Sequence, residues 1–140
     1  MNIYFSCSIT GGRADESVYQ VLVSEMVRQG HEVPTAHLSE SGVVNIERVV
    51  DAREIFERDM AWLRGCDAVV AEVSTPSHGV GYEVAAALAL EKPVLCCYRS
   101  GRRVSKIITG NDSRFITVRE YADDAEALIC LNDFLASLVP

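Results

Sequence analysis

Hydrophobic positions along the chain follow two periods, one typical of strands and one typical of helices. Five short apolar runs have the length and composition of buried strands: NIYFSC, HEVPT, CDAVVAEV, PVLCCY and RFITV. Longer stretches with helical spacing predict helices over residues 15–30 and 47–64, within PSHGVGYEVAAALAL, and over DDAEALICLNDFLASL. Residues 36–46 are interpreted as a loop or an irregular entry to a helix.

The first two helices each have a predicted inward face. For the first helix this face is Val18, Leu22, Val23 and Met26, with Gly30 as the stop signal. For the second helix it is Val50, Ile55, Phe56, Met60 and Leu63.

Strands and helices alternate from one end of the chain to the other. This order predicts a doubly wound, Rossmann-like α/β fold with a mostly parallel five-stranded sheet and helices on both faces. The run CDAVVAEV is apolar on both faces, as expected for the middle of such a sheet. Ligands bind such folds at the carboxyl ends of the strands, where the loops SCSITGGR, TAHLSE and STPSHGVGYE are predicted to meet.

The composition is that of one globular domain, and we expect residues 1–140 to form it. Apolar residues make up 49% of the chain and charged residues 24%, both close to the globular norm. The net charge of −7 argues against a nucleic-acid polymer as partner, because such binding depends on cationic contacts to phosphate. A small anionic ligand needs only a few local donors, and the basic run RSGRRVSK is interpreted as a solvated loop.

Neither a membrane span nor a signal peptide is predicted. No apolar run reaches the roughly 18 residues that a span needs. The N-terminus has no basic region ahead of a long apolar stretch. We therefore expect no membrane partner and a cytoplasmic location, or a nuclear one if the source is eukaryotic.

The cysteines and histidines do not form a predicted metal site. Five cysteines occur without C-x-x-C spacing, and the neighbours Cys96 and Cys97 point to opposite faces of a strand. Free buried thiols are therefore expected. No histidine pair has helical ligand spacing, and neither a P-loop nor a dinucleotide fingerprint is present. No metal and no organic cofactor are expected.

One carboxylate lies in an otherwise apolar helix. Glu83 comes one turn into the helix, before VAAALAL. It would favour the helix dipole there, but a carboxylate beside the ligand end of a central strand is also partly desolvated and aimed into the cleft. Ser77 and the amides of residues 79–81, just before it, suit a phosphate. The structural alternative is a capped helix with a glycine-rich entry.

Four further residues are candidates, each with a structural alternative. Asp59 falls on the inward face of its helix, where charges are paired or functional, or else at a solvated edge. Arg13 would add a cation beside an anion, or its segment is a simple turn with Asp15 capping the helix. Tyr4 either fills the core or directs its hydroxyl to the end of the strand, and His37 either lines a ligand pocket or is a loop residue.

The runs IYFSCSITGGR, RDMAWLRGCDAVVAEVSTPSHGVGYE and NDSRF resemble those of a known family. They are similar to the 2′-deoxynucleoside 5′-phosphate N-hydrolases, which are relatives of the nucleoside 2-deoxyribosyltransferases. The resemblance extends from residue 3 to about residue 118, in order and with few length changes. It implies one nucleoside 2-deoxyribosyltransferase-like catalytic domain.

The resemblance also implies roles for individual residues. Glu83 matches the family's nucleophile, Tyr4 a tyrosine that positions it, and Asp59 an aspartate that assists departure of the base. His37 matches a histidine near the base. Ser113 matches a serine that reaches the phosphate from the neighbouring subunit, which implies a homodimer with a shared site. The matches to the phosphate and sugar pocket are Ser8, Ile9, Gly12, Arg13, Ser77 and Gly79.

Two positions depart from the family's pattern. Its GSIRGGR is here CSITGGR, with Cys7 in place of a glycine and Thr10 in place of an arginine. The second change removes a cation that faces the phosphate. The run NDSRF favours the hydrolases over the transferases, which use an asparagine supplied by the neighbouring subunit, although Asn111 keeps that comparison open.

The implied activity is hydrolysis of the N-glycosidic bond of 2′-deoxynucleoside 5′-monophosphates, through a covalent glycosyl intermediate on Glu83. Three alternatives stay open at this point. They are base exchange by a deoxyribosyltransferase, cleavage of ribonucleotides, and a nucleotide-binding module without catalysis.

Overall fold

The computed structural model describes residues 1–139, so Pro140, the last residue of the predicted domain, lies outside the described residues. The strands are β1 (Ile3–Ser6), β2 (Ala68–Glu72), β3 (Val94–Arg99) and β4 (Ile116–Tyr121). The helices are α1 (Glu16–Arg28), α2 (Val43–Val49), α3 (Ala52–Gly65), α4 (His78–Ala89), α5 (Lys106–Thr109) and α6 (Asp124–Ser137), with a 3₁₀ helix at Ala36–Ser39.

All four strands run parallel in one sheet, in the order β1-β2-β3-β4. The register places Tyr4 beside Val69, Val69 beside Val94, and Val94 beside Ile116. Both β1 and β2 are buried along their whole length, as the apolar run CDAVVAEV predicted for the middle of the sheet. The predicted open, parallel α/β sheet is confirmed.

The prediction that HEVPT forms the second strand is wrong. Within residues 1–139 the sheet has four strands rather than five, and this segment contributes only an isolated bridge between Glu32 and Asn2. Pro34 has no N–H to donate, and the chain turns into the 3₁₀ helix directly afterwards. The N–H of Phe5 therefore donates to the Thr35 hydroxyl at 2.8 Å instead of to a strand carbonyl.

Helices cover both faces of the sheet, as predicted. Alternate β1 residues separate the two layers: Ile3 and Phe5 pack with α1 and α6, and Tyr4 packs with α3 and α4. Cys96 and Cys97 fall in opposite layers in the same way. The predicted inward face of α1 is confirmed, because Val18, Leu22, Val23 and Met26 are all buried.

The predicted helix over residues 47–64 is divided into two helices. Val50 has an extended backbone, and the Asp51 carboxylate caps α3 by accepting from the N–H groups of Arg53 and Glu54. Phe56 was predicted to face inward but is 50% exposed and packs edge-on against Tyr82. The segment read as a loop or irregular entry holds the 3₁₀ helix and α2.

The cysteines are free thiols throughout the part of the chain that the structure describes, as predicted. Four are buried and Cys130 is half-buried. Burial raises the pKa of the Cys7 and Cys96 thiols to about 12, which keeps both protonated. None of the helices in residues 1–139 is both long and apolar enough to cross a membrane.

Candidate active site

The three predicted loops meet at the carboxyl ends of β1 and β2, where α2 and α3 close a cavity of about 590 Å³. Side chains from α2 and α3, including Val44, Glu47 and Ile55, form one wall. The predicted site residues that line the cavity are Ile9, Gly12, Arg13, Asp59, Ser77, Gly79 and Glu83.

Two hydroxyl groups of β1 donate hydrogen bonds to the Glu83 carboxylate. Its Oε1 accepts from the Tyr4 hydroxyl at 2.9 Å, and its Oε2 accepts from the Ser6 hydroxyl. Tyr4 and Ser6 are two residues apart, so both point to the face of the sheet that α4 covers. The carboxylate is thereby fixed at the cavity wall.

The surroundings of Glu83 raise its pKa above the ordinary range. Burial is the main cause, and the negative charge of Asp59 adds to it. The hydrogen bonds from Ser6 and Tyr4 act in the opposite direction, because they stabilise the ionised form. Tyr4 is fully buried beside that charge, so its own pKa is raised and it stays a neutral donor.

Asp59 is another carboxylate of the cavity, and it is buried on α3. Its Oδ1 accepts from Nε of the neighbouring Arg58 at 2.8 Å. Glu83, by contrast, is held by neutral hydroxyls. Two carboxylates in different environments are suited to different roles in one reaction.

The start of α4 supplies backbone donors to the cavity. Ser77 caps the helix, since its hydroxyl accepts from the N–H of Val80 at 3.4 Å. The first N–H groups of a helix have no partner within it and attract anions. Ser77 and Gly79 both line the cavity, so this helix end is placed to receive a negatively charged group.

The loops after β1 and β2 touch backbone to backbone. A Cβ on Gly11 would lie 2.3 Å from the Pro76 carbonyl oxygen and 2.9 Å from the Ser8 hydroxyl, so only glycine fits. Gly12 has a φ of +124°, which also requires glycine. Ser8 is fully buried, and its hydroxyl has no partner among the described residues.

Arg13 connects the same loops through its guanidinium group. Nη1 donates to the carbonyl oxygens of Leu38 at 2.7 Å and Ser8 at 3.2 Å, and Nη2 donates to that of Glu40 at 3.1 Å. Nε pairs with Glu16 at 3.0 Å. Arg13 therefore lines the cavity, and its donors join two of the loops around it.

The structure places His37 and Ser113 differently from the other predicted site residues. His37 Nε2 lies 3.4 Å from Oε1 of Glu47, a residue of the cavity wall. The Ser113 hydroxyl accepts from the N–H of Phe115, whose carbonyl accepts from the first residue of β3. Ser113 therefore lies near the amino-terminal ends of β3 and β4, whereas the cavity of its own chain lies at the carboxyl ends of the strands.

Another buried carboxylate, that of Glu72, lies behind the loop that follows β2. Glu72 accepts hydrogen bonds from the hydroxyls of Ser74 and Tyr121, the latter at 2.9 Å. Burial raises its pKa to about 7.

The structural alternative for the Arg13 segment, a simple turn with Asp15 capping α1, does not hold for the Asp15 side chain. That side chain accepts instead from Thr75 at 3.0 Å and Arg102 at 3.1 Å. The basic run is therefore not simply a solvated loop.

Comparison with known proteins identifies the family. The family model for nucleoside 2-deoxyribosyltransferase matches residues 3–129. The chain belongs to this family. The resemblance drawn from the sequence motifs is confirmed, and the cavity described above is that of a nucleoside 2-deoxyribosyltransferase family member.

Individual relatives cover most of the chain. A mouse protein named 5-hydroxymethyl-dUMP N-hydrolase is 42% identical over 145 residues, covering 99% of this chain and 82% of its own. A putative 2′-deoxynucleoside 5′-phosphate N-hydrolase 1 from Methanosarcina barkeri is 35% identical over 136 residues, which cover 97% of this chain and 86% of the relative. The solved Clostridium botulinum CMP N-glycosidase BcmB gives a TM-score of 0.74 over 96% and 99% of the two chains. At 16% identity, that likeness shows the fold alone.

Sequence reasoning missed several residues around the site of this family member. Ser6 could have been found, because strand alternation places it on the face of Tyr4. The periodicity places Glu47 at the start of one long helix and indicates no role for it, and Arg58 is one residue from the inward-facing Asp59. Their pairing depends on the separation of α2 from α3, which periodicity did not indicate.

Proposed function

We propose that this chain hydrolyses the N-glycosidic bond of 2′-deoxynucleoside 5′-monophosphates, releasing the free base and 2-deoxyribose 5-phosphate. The observation that carries the proposal is the Glu83 carboxylate, fixed by Tyr4 and Ser6 in a cavity that also receives the start of α4. The names of the mouse and Methanosarcina relatives support it. Residues 1–140 would act as one catalytic domain.

In the proposed reaction, Glu83 attacks C1′ of the sugar while the bond from C1′ to the base nitrogen breaks. The base leaves with the bonding electron pair, and Asp59 supplies its proton, either as the acid itself or through a bound water. Water then attacks C1′ of the glycosyl ester, which releases the Glu83 carboxylate, and the proton that this water loses replaces the one given to the base. A sugar without a 2′-hydroxyl forms a less destabilised cation, so one carboxylate nucleophile suffices.

The remaining predicted residues would bind the substrate. Ser77 and Gly79 at the start of α4 would hold the 5′-phosphate, together with Ser8, Ile9, Gly12 and Arg13 of the first loop. His37 would lie near the base of the bound substrate, because its ring contacts Glu47 of the cavity wall. Hydroxyl and amide donors suit a chain whose net charge is −7.

The test is incubation with a panel of deoxyribo- and ribonucleoside monophosphates, with released bases separated by chromatography. We expect base release from deoxynucleotides by the wild type and by the control Glu54→Gln, which changes an exposed glutamate of α3. Glu83→Gln should lose at least about 100-fold in rate. The proposal is wrong if no deoxynucleotide is cleaved, or if the two variants are equally active. A new nucleoside on addition of a second base would indicate base exchange.

We further propose a homodimer in which Ser113 completes the phosphate site of the neighbouring subunit. Ser113 lies at the amino-terminal ends of the strands, away from the cavity of its own chain, and this position supports the arrangement. Ser113→Ala should weaken binding of 5′-phosphorylated substrates and spare unphosphorylated nucleosides. Equal losses on both substrates, or a monomer in sedimentation, would contradict it.

The free thiols support a cytoplasmic location.

A further inference from the structure

Arg58 joins two carboxylates in the α2–α3 wall of the cavity. Its Nε donates to Asp59 Oδ1 at 2.8 Å, and its Nη2 donates to Glu47 Oε1 and Oε2 at 3.2 and 3.3 Å. Its guanidinium carbon lies 5.1 Å from the centre of the Trp62 ring. Arg58 is therefore held in place from three sides.

This arrangement differs from an ordinary surface ion pair on the same helix. The side chains of Glu47 and Asp59 are each 11% exposed and that of Arg58 is 25% exposed. The pair of Arg53 and Glu57, one turn earlier, is 84% and 60% exposed. A guanidinium that donates to two largely buried carboxylates fixes their positions through charge-assisted hydrogen bonds, which are shorter and stronger than neutral ones.

The contact with Arg58 decides which oxygen of Asp59 is available. Oδ1 is occupied by Arg58, and within the described chain no hydrogen bond reaches Oδ2. The charged and titratable groups near Asp59 include Arg58 on α3, Glu83 on α4 and Tyr4 on β1, with Glu47 of α2 beyond Arg58. Arg13 and Arg48 line the same cavity. Arg58 is the cation that donates a hydrogen bond to Asp59 within residues 1–139, so it fixes the direction of the Asp59 carboxyl group.

We propose that Arg58 is a positioning residue for base departure: anchored by Glu47, it fixes the Asp59 carboxyl group so that Oδ2 orients a water molecule at the cavity. This rests on the proposed function. The oriented water gives one proton to the departing base and its oxygen to C1′, on the face that the base has left. The Glu83 ester bond breaks, and its electron pair returns to Glu83. The net change is addition of one water across the N-glycosidic bond.

The test is a double-mutant cycle on single-turnover base release from the deoxynucleotide that the wild type cleaves best. In the wild-type background, Arg58→Met should lower the rate by about 10-fold, with a smaller change in KM. In an Asp59→Asn background the same change should lower the rate by less than about 2-fold, because the group it acts through is absent. Arg53→Met, on the same helix, should leave the rate unchanged in both backgrounds.

Two further variants keep the test informative if Arg58→Met folds poorly. Arg58→Lys keeps the charge but cannot donate to both carboxylates in fork geometry, so its rate should lie between those of wild type and Arg58→Met. Glu47→Gln should show the same dependence on Asp59, with a smaller loss. Equal fold losses in both backgrounds, or a wild-type rate in Arg58→Lys and Arg58→Met, would overturn the inference. Absence of base release by the wild type would instead refute the proposed function.

Discussion

Glu72 provides a test of the buried polar cluster behind the site. The side chain is fully buried at the end of β2, and its carboxylate accepts from the Ser74 and Tyr121 hydroxyls. No cation is among the hydrogen-bond donors to Glu72 in residues 1–139. Replacement by glutamine keeps the size and removes the charge. The variant Glu72→Gln therefore isolates the free energy of burying that charge.

The magnitude follows from the pKa of Glu72. Burial raises it from the ordinary value of 4.5 to about 7. Because the folded-state pKa is the higher one, the folded state binds the proton more tightly than the unfolded state does. Wild-type stability therefore falls as pH rises from about 4.5 through about 7, and the full penalty of roughly 3 kcal/mol is present above that. Glu72→Gln escapes this penalty.

The assay is urea unfolding of both proteins at pH 5, 6, 7 and 8. The stability of Glu72→Gln relative to wild type should increase across this range by about 2–3 kcal/mol. Glu25→Gln is the control, because hydrogen bonds from Arg28 and Gln29 lower the pKa of Glu25 to about 2, so its contribution is constant there. Stability curves of wild type and Glu72→Gln that stay parallel from pH 5 to 8 would refute the reasoning.

Two other predictions concern the loops and the nucleophile. Gly11→Ala brings a Cβ against the Pro76 carbonyl and should destabilise the fold by about 1–3 kcal/mol and raise KM, whereas Gly65→Ala, with open space around it, should do neither. Thermal melts and steady-state kinetics measure both, and an unchanged KM in Gly11→Ala would count against the rigid loop contact. Tyr4→Phe should lower kcat about 10-fold with little change in KM, because it removes a hydrogen bond to the charged Glu83. Tyr19→Phe is its control, since the buried Tyr19 hydroxyl has no partner in residues 1–139; equal kcat values for the two variants would contradict the role of Tyr4.

The sequence was sufficient to predict the parts of the structure that depend on periodicity. The inward face of α1, the opposite orientations of Cys96 and Cys97, and the burial of Asp59 all follow from the geometry of one helix or strand. The meeting of three loops follows from the parallel order of the strands. The position of the candidate site therefore follows from the pattern of strands and helices alone.

The remaining features depend on contacts between segments, which periodicity does not describe. The segment around Pro34 has strand-like composition, but the chain turns there and pairs with β1 at one residue only. Phe56 fits an inward helical face, yet α3 begins at a new cap and leaves this ring against Tyr82. The ion pair of Arg58 with Glu47 joins two helices whose separation was not predicted.

The contact between Gly11 and the Pro76 carbonyl has a consequence for how this cavity can change during evolution. The two loops that make this contact also supply Thr10, Gly12 and Ser77 to the cavity, so a substitution at the contact has to be accommodated by the path of the other loop. Another part of the cavity is formed by side chains of α2 and α3, among them Val44, Arg48 and Ile55. Single substitutions there can alter its shape without moving a backbone. Divergence in base preference is therefore expected to accumulate on the α2–α3 wall, while the half of the cavity near α4 stays fixed.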